Sequence, residues 1–171
     1  FRDHVSEVIA FLADHLQRTS PETIVEIGPG PGWLAMAIQK IAPRANYLLF
    51  EASEDVARLT AQNMPDATVI PASIDEAQVN DGIADLAVVS GVDYLFPDLR
   101  SAMRKIHALL DDGGYLYIER NVFVETEAYA RSPIRTYRDL FGQNVLMTTW
   151  FSVDQYRQYL QLMYDVVAER S

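Results

Sequence analysis

The chain of 171 residues contains no cysteine. That removes disulfides, thiolate metal sites and a cysteine nucleophile together. Histidine is scarce, with three residues in all. His4 and His15 fall on a first helical stretch and His107 on a later one, and all three read as surface or packing residues. No grouping of His, Asp and Glu has metal-ligand spacing, so no metal is expected. Basic residues are outnumbered 14 to 24, which gives a net charge of −10. Such a surface repels phosphate backbones, so nucleic acid is not an expected partner. Arg131, Arg135 and Arg138 would share one side of a helix, as a local basic face or simply a solvated one. No apolar run reaches 18 residues, so no membrane span is expected. No signal peptide is visible, and with the lack of cysteine this points to the cytoplasm. The pattern G-x-x-x-x-G-K-[ST] is missing too, which excludes a P-loop.

What is present is an alternation of short apolar strands and amphipathic helices. Apolar residues at Val5, Val8, Ile9, Leu12 and Leu16 give a first helix its period. Strands are predicted at Thr23–Ile27, Tyr47–Phe50, Thr68–Ile70, Leu86–Ser90 and Tyr115–Ile118. Helices are predicted at Trp33–Ile41, Glu54–Asn63 and Leu99–Leu110, the last stopped by Asp112-Gly113-Gly114. Such alternation implies right-handed crossovers and a parallel sheet. The length suits one domain with a substantial core. The chain opens at Phe1 and not Met, so it reads as a fragment, cut at one or both ends.

Residues 24–32, Ile-Val-Glu-Ile-Gly-Pro-Gly-Pro-Gly, carry most of the chemistry. A strand breaks into a loop with Gly28, Gly30 and Gly32, and a helix comes next. That arrangement brings backbone N–H groups to a ligand, and glycine permits the close approach. The dinucleotide fingerprint G-x-G-x-x-G needs a third glycine where this chain has Trp33, a poor fit for a pyrophosphate. Glu26 lies inside the strand, two residues before the first glycine. A carboxylate there repels phosphate but attracts a cation, so the loop suits a ligand with an ammonium or sulfonium group. A purely structural glycine turn is the plain alternative. Glu51 ends the second strand nineteen residues past Gly32. An acid at that spacing is placed to accept hydrogen bonds from ribose hydroxyls. It could also serve as a capping acid before Ser53-Glu54-Asp55, with Ser53 as N-cap.

This combination resembles the class I S-adenosylmethionine-dependent methyltransferases, over roughly Ile24 to Val167. The resemblance implies a Rossmann-like, doubly wound α/β fold with a mainly parallel sheet and helices on both faces. It implies S-adenosylmethionine as cofactor, with Glu26, Gly28, Pro29, Gly30 and Gly32 at its methionine end. Glu51 and Ala52 would lie at the ribose, and Ser90 and Gly91, ending strand four, near the methionine part and the methyl group. An Asp is often found just after strand three for the adenine amino group; here Ala72 stands in its place. Ser73 or a backbone group could substitute, and Ile74 could pack on the adenine.

Catalysis rests on fewer residues. Methyl transfer from a sulfonium is an in-line displacement, largely positioning and desolvation. Asp93 and Tyr94 are the candidates to bind or deprotonate a small-molecule substrate. Equally, Asp93 could cap a turn and Tyr94 line a wall. Glu119-Arg120-Asn121 would face the cleft from the end of strand five. Val122–Phe141 reads as helix, Ser152-x-x-Gln155 as a capping box opening a helix to about Met163, and Tyr164–Val167 as a sixth strand. The class normally adds an antiparallel seventh strand, for which the chain leaves no room. The expected activity is methyl transfer to a small molecule. Two alternatives are a non-catalytic binding domain of the same fold and a nicotinamide oxidoreductase, the latter opposed by Trp33.

Overall fold

The computed structural model describes residues 2–96, 98–119, 135–138, 144–147, 157–158, 160–162 and 164–165. Eleven elements of regular structure cover most of them. They are α1 (Arg2–Thr19), β1 (Thr23–Ile27), α2 (Trp33–Gln39), β2 (Asn46–Phe50), α3 (Glu54–Asn63), β3 (Thr68–Ile70), β4 (Ala84–Ser90), α4 (Leu99–Leu109), β5 (Leu110–Glu119), β6 (Arg135–Arg138) and β7 (Asn144–Met147). One turn of 3₁₀ helix, Asp93–Leu95, precedes α4. Two compact units divide the chain: one of residues 1–90 and 101–119, the other of residues 91–100 and 120–171.

In the first unit five strands form one sheet in the order β3-β2-β1-β4-β5. Every pairing is parallel. The chain builds outward from β1 to β3, returns, and builds the other way from β4 to β5. With crossovers of one hand, this reversal sends α2 and α3 to one face of the sheet and α4 to the other. The reversal point lies between β1 and β4, whose carboxyl ends are where ligands settle in open α/β sheets.

Side-chain alternation divides the core along the strands. Ile24, Leu49, Leu86 and Val88 pack with Val8, Leu12 and Leu16 of α1 and Leu34, Ala35 and Ile38 of α2. Val25, Ile27, Ala87 and Val89, at the alternate positions, are also fully buried. A strand covered on both faces reads as a continuous apolar run, which is how β4 stood out in the sequence. Asp85 anchors the start of β1: its Oδ2 accepts the N–H groups of Glu22 at 2.9 Å and Thr23 at 2.8 Å.

The first-unit elements fall where the sequence placed them, with ends shifted by one or two residues in α2, β2, β4 and α4 and by more in β5 and α1. β5 starts at Leu110 and not at Tyr115, because its pairing with β4 jumps from Ala84↔Leu110 to Leu86↔Tyr115. The Asp112-Gly113-Gly114 stretch is thus a bulge inside the strand rather than a turn before it. α1 runs on to Thr19, and His15 stacks edge-on against Tyr115 with ring centroids 4.3 Å apart, a packing role.

The second unit departs further. Arg135–Arg138 is a strand, paired antiparallel with Asn144–Met147. The helix predicted over Val122–Phe141 is therefore wrong at 135–138, and Arg135 and Arg138 do not share a helix face. The rest of that stretch, Arg120-Asn121 and the Ser152-x-x-Gln155 box lie outside the described residues. Residues 157–158 and 160 are helical as expected. Tyr164 and Asp165 are not in a strand, and 166–167 of the predicted sixth strand lie outside the described residues. Among the described residues no helix is long and apolar enough to cross a membrane.

Candidate functional site

The loop between β1 and α2 is shaped by positive φ at its glycines. Gly30 has φ +54° and Gly32 φ +85°, values that strain side-chain-bearing residues. At Gly30 an added Cβ would meet nothing within 4 Å, so that side of the loop is open. At Gly32 it would come within 3.4 Å of Thr60 Cγ2 and 3.7 Å of Met64 Cγ, so that position packs against α3 and its C-terminal flank. Gly28 donates its N–H to Phe50 O at 2.8 Å, and Gly32 donates to Pro29 O at 3.0 Å.

Glu51 ties the loop to β2. Its Oε2 accepts from Gly30 N–H at 3.2 Å, and its Oε1 accepts from Ser53 N–H at 3.0 Å. Ser53 in turn caps α3, its Oγ accepting from Val56 N–H at 3.5 Å, with Glu54 and Asp55 in the first turn. Glu51 thus does hold the approach to the cap, and it does so while reaching the glycine loop. Each carboxylate oxygen has two acceptor sites, so capacity for further donors remains.

Glu26 sits on the other side of the loop, in the interior. It is 3% exposed. Its carboxyl accepts one hydrogen bond from the backbone N–H of Ala35 in α2. Its Oε2 has no partner among the described groups. Burial pushes its acid strength down so far that its pKa rises to about 8, against a small opposing effect of the Ala35 bond. The sequence suggested a standing negative charge at Glu26; burial instead favours its neutral form. An incoming cation would reverse that, since opposite charge favours the ionised form. Tyr47 lies close enough to respond: burial first, then the Glu26 charge, push its phenol up, and its hydroxyl donates to Ala42 O at 2.9 Å.

The loop after β3 is differently built. Ser73 Oγ donates to Glu76 Oε2 at 2.9 Å, and Ser73 O accepts from Glu76 and Ala77 N–H groups at 3.1 and 3.0 Å. Ile74 is only 2% exposed, so it offers little surface to a ligand. Lys105, from α4, donates its Nζ to Asp75 O at 3.1 Å and also to Ala77 O. Ala72 donates its N–H to Ile70 O at 2.9 Å.

At the carboxyl ends of β4 and β5, Ser90 Oγ donates to Glu119 Oε2 at 3.0 Å, across directly paired residues. In the second unit Gly91 has φ +66°. Asp93 opens the 3₁₀ turn and is fully buried, while its carbonyl accepts from Phe96 N–H at 3.3 Å. Tyr94 lies in the same turn. Sequence reasoning missed Thr60 and Asn63, whose side chains reach the glycine loop from α3. No local signal marks them, since a polar residue on a helix says nothing of what faces it. A separate cavity of about 700 Å³ lies at the amino ends of β1 and β2, lined by Ser20, Glu22, Pro43 and Arg44 among others. It contains none of the loop residues. Among the described residues no three His, Asp or Glu gather as a metal cluster.

An orphaned buried carboxyl oxygen and an open, side-chain-free bend fit a cationic adenosyl cofactor. Fold and site define a class I, S-adenosylmethionine-dependent methyltransferase domain. A family profile described as a methyltransferase domain matches residues 2–163, and the chain belongs to that family. No curated protein matches it by sequence.

Solved structures agree on the fold. One is the 1,6-didemethyltoxoflavin-N1-methyltransferase of Burkholderia thailandensis, with bound 1,6-didemethyltoxoflavin and S-adenosylhomocysteine. It is 18% identical at a TM-score of 0.69, over 98% of this chain and 69% of that one. An S-adenosylmethionine-dependent methyltransferase from Mesorhizobium loti is 18% identical at a TM-score of 0.64, over 86% and 75%. The plantazolicin methyltransferase BpumL, in complex with S-adenosylhomocysteine, is 21% identical at a TM-score of 0.57, over 63% of this chain and 43% of its own. Such low identities bear on architecture alone.

Proposed function

We propose that this chain moves a methyl group from S-adenosylmethionine to a small-molecule acceptor. The observation that carries the reading is the pairing of an open Gly30 with the buried, partnerless Glu26 Oε2 on one side and Glu51 on the other. Glu26 would face the cationic methionine end, Gly28, Pro29, Gly30 and Gly32 would pass beneath it, and Glu51, followed by Ala52, would receive the ribose hydroxyls. Ser90 and Gly91 would lie toward the methyl group. Ser73 would border the adenine through its backbone because its hydroxyl is engaged with Glu76, while the buried Ile74 would back that edge from within the core and not pack on the ring itself.

When bound, the cofactor supplies an electrophilic methyl on a sulfonium. The chain's own contribution is to hold the donor still, exclude water and orient the acceptor. Asp93 and Tyr94 are the residues we assign to acceptor binding or deprotonation. A small acceptor, rather than nucleic acid, is supported by the net charge of −10. The structural neighbour named as a 1,6-didemethyltoxoflavin-N1-methyltransferase, solved with 1,6-didemethyltoxoflavin bound, supports it too. We place the activity in the cytoplasm on the absence of cysteine.

Isothermal titration of the purified chain with S-adenosylmethionine and S-adenosylhomocysteine tests the reading. Saturable heat is expected. Silence at millimolar ligand would return the chain to the class of non-catalytic binding domains, and heat with NADH alone would make it an oxidoreductase.

A further inference from the structure

We propose that Thr60 and Asn63 are positioning residues, which hold the glycine loop from α3 in the shape that receives the cofactor. The proposal rests on the reading of that loop as the cofactor's seat. Thr60 Oγ1 donates to Gly30 O. Asn63 Nδ2 donates to Pro31 O at 2.9 Å. The Thr60 methyl closes on the third residue, standing 3.4 Å from where a Gly32 Cβ would be. Two successive loop residues are therefore held by two side chains, and a side chain on the third would meet the Thr60 methyl. Thr60 and Asn63 are three apart on a helix and so share one face.

The chemistry of Thr60 makes this more than packing. A helical threonine ordinarily returns its hydroxyl to the carbonyl four residues back. Thr60 does reach Val56 O, at 2.8 Å, but it also reaches Gly30 O. One hydroxyl has one proton, so it is shared between its own helix and the loop. The residue is completely buried, so its hydroxyl is committed to these two carbonyls and not to water. α3 is itself fixed by the Ser53 cap, so the grip comes from a placed element and not from another loop.

The consequence is preorganisation. A glycine-rich bend has more conformational freedom to lose than any other kind of segment. If that freedom is lost on folding, cofactor binding does not lose it again. With the carbonyls of Gly30 and Pro31 engaged by α3, the open side at Gly30 is presented ready-made.

The test compares Thr60→Val, Thr60→Ser and Asn63→Ala in the whole chain. Readouts are S-adenosylhomocysteine affinity by calorimetry and amide hydrogen exchange of the loop without ligand. Thr60→Val keeps the shape and removes the hydroxyl; it is expected to weaken binding about tenfold, the scale of one hydrogen bond, and to speed loop exchange. Asn63→Ala should do likewise. Thr60→Ser leaves the larger cavity but restores the hydroxyl, and should bind within about threefold of the native chain. A merely structural role predicts the reverse order, with Ser worse than Val. The proposal is overturned if Thr60→Val binds as the native chain does, or if Thr60→Ser loses as much. Should the native chain take up no S-adenosyl compound, the cofactor reading fails instead. The exchange rates then decide alone: unchanged loop protection in Thr60→Val would remove the clamp as well.

Discussion

Two loops leave the carboxyl end of the same parallel sheet, and they are held in opposite ways. The loop after β1 is fastened by partners far along the chain: Phe50, Glu51, Thr60 and Asn63. The loop after β3 is fastened mostly to itself, through Ser73, Glu76 and Ala77, with Lys105 as its long-range tether. Distant partners fix a shape because the whole fold must give way before the loop can. Near neighbours hold a turn only as firmly as a few local bonds allow, each worth about 1 kcal/mol net. The difference separates a prebuilt seat from an adaptable edge. On the proposed reading it would also suit an adenine edge without the usual acid: Ala72 supplies no side-chain acceptor, which leaves recognition to backbone groups of this turn.

The sharpest way to break this comparison is to put a side chain on the open bend. Gly30→Val should abolish cofactor binding, by more than about a hundredfold, because the side chain fills the seat and a β-branched residue at positive φ adds strain. Calorimetry with S-adenosylmethionine, alongside circular dichroism to confirm the fold, checks it; retained affinity would place the ligand elsewhere.

Acidity gives the next largest effect. Glu26 releases its proton near pH 4.5 in the unfolded chain and near 8 in the ligand-free fold. Its raised value means stability that is full below about 4.5 and lost as pH climbs toward 8, so the ligand-free protein should melt lower at pH 8 than at pH 5 through this group. A cation in the seat favours the ionised form. Affinity for S-adenosylmethionine should therefore rise with pH up to about 8, by at most about tenfold per unit. Glu26→Gln should flatten both dependences, and a slope that survives the substitution would locate the titration in another group.

Glu51→Ala should cost about 1–3 kcal/mol of cofactor affinity, the range for a hydrogen bond to a charged group. Part of that loss belongs to the released Gly30 N–H, so loop exchange should quicken in the free protein too. Least is expected from Ser73→Ala, which removes a local bond in the self-held loop: under about threefold in affinity. An effect as large as that of Glu51→Ala would erase the distinction between the two loops.

Legibility in the sequence divides along the same line. Gly28, Gly30 and Gly32, the acids at 26 and 51 and the Ser53 cap are signalled by residue type and spacing over short stretches. The parallel sheet comes from alternation and handedness, whereas the order of its strands is set by pairings between distant segments. Thr60 and Asn63 could not be read, because their partners lie 30 and 32 residues away. The neutrality of Glu26 was hidden for a related reason: it depends on how deeply α2 and the sheet cover it, not on its neighbours in sequence. The strand at Arg135–Arg138 was mistaken because basic residues spaced by four and three mimic a helical period. β5 was shortened because a bulge with two glycines looks like a turn.

The fastening of the first loop also sets an order of events in the cell. The long-range bonds that hold Gly28–Gly32 all come from residues encoded after it. While the chain is being made, at about 5–20 residues per second, the bend emerges several seconds ahead of its last fastening. Until Asn63 has left the ribosome and α3 has docked, that bend cannot close. A motif translated ahead of its partners is thus among the last of its neighbourhood to settle, and on the proposed reading a nascent chain short of Asn63 would not yet hold a cofactor.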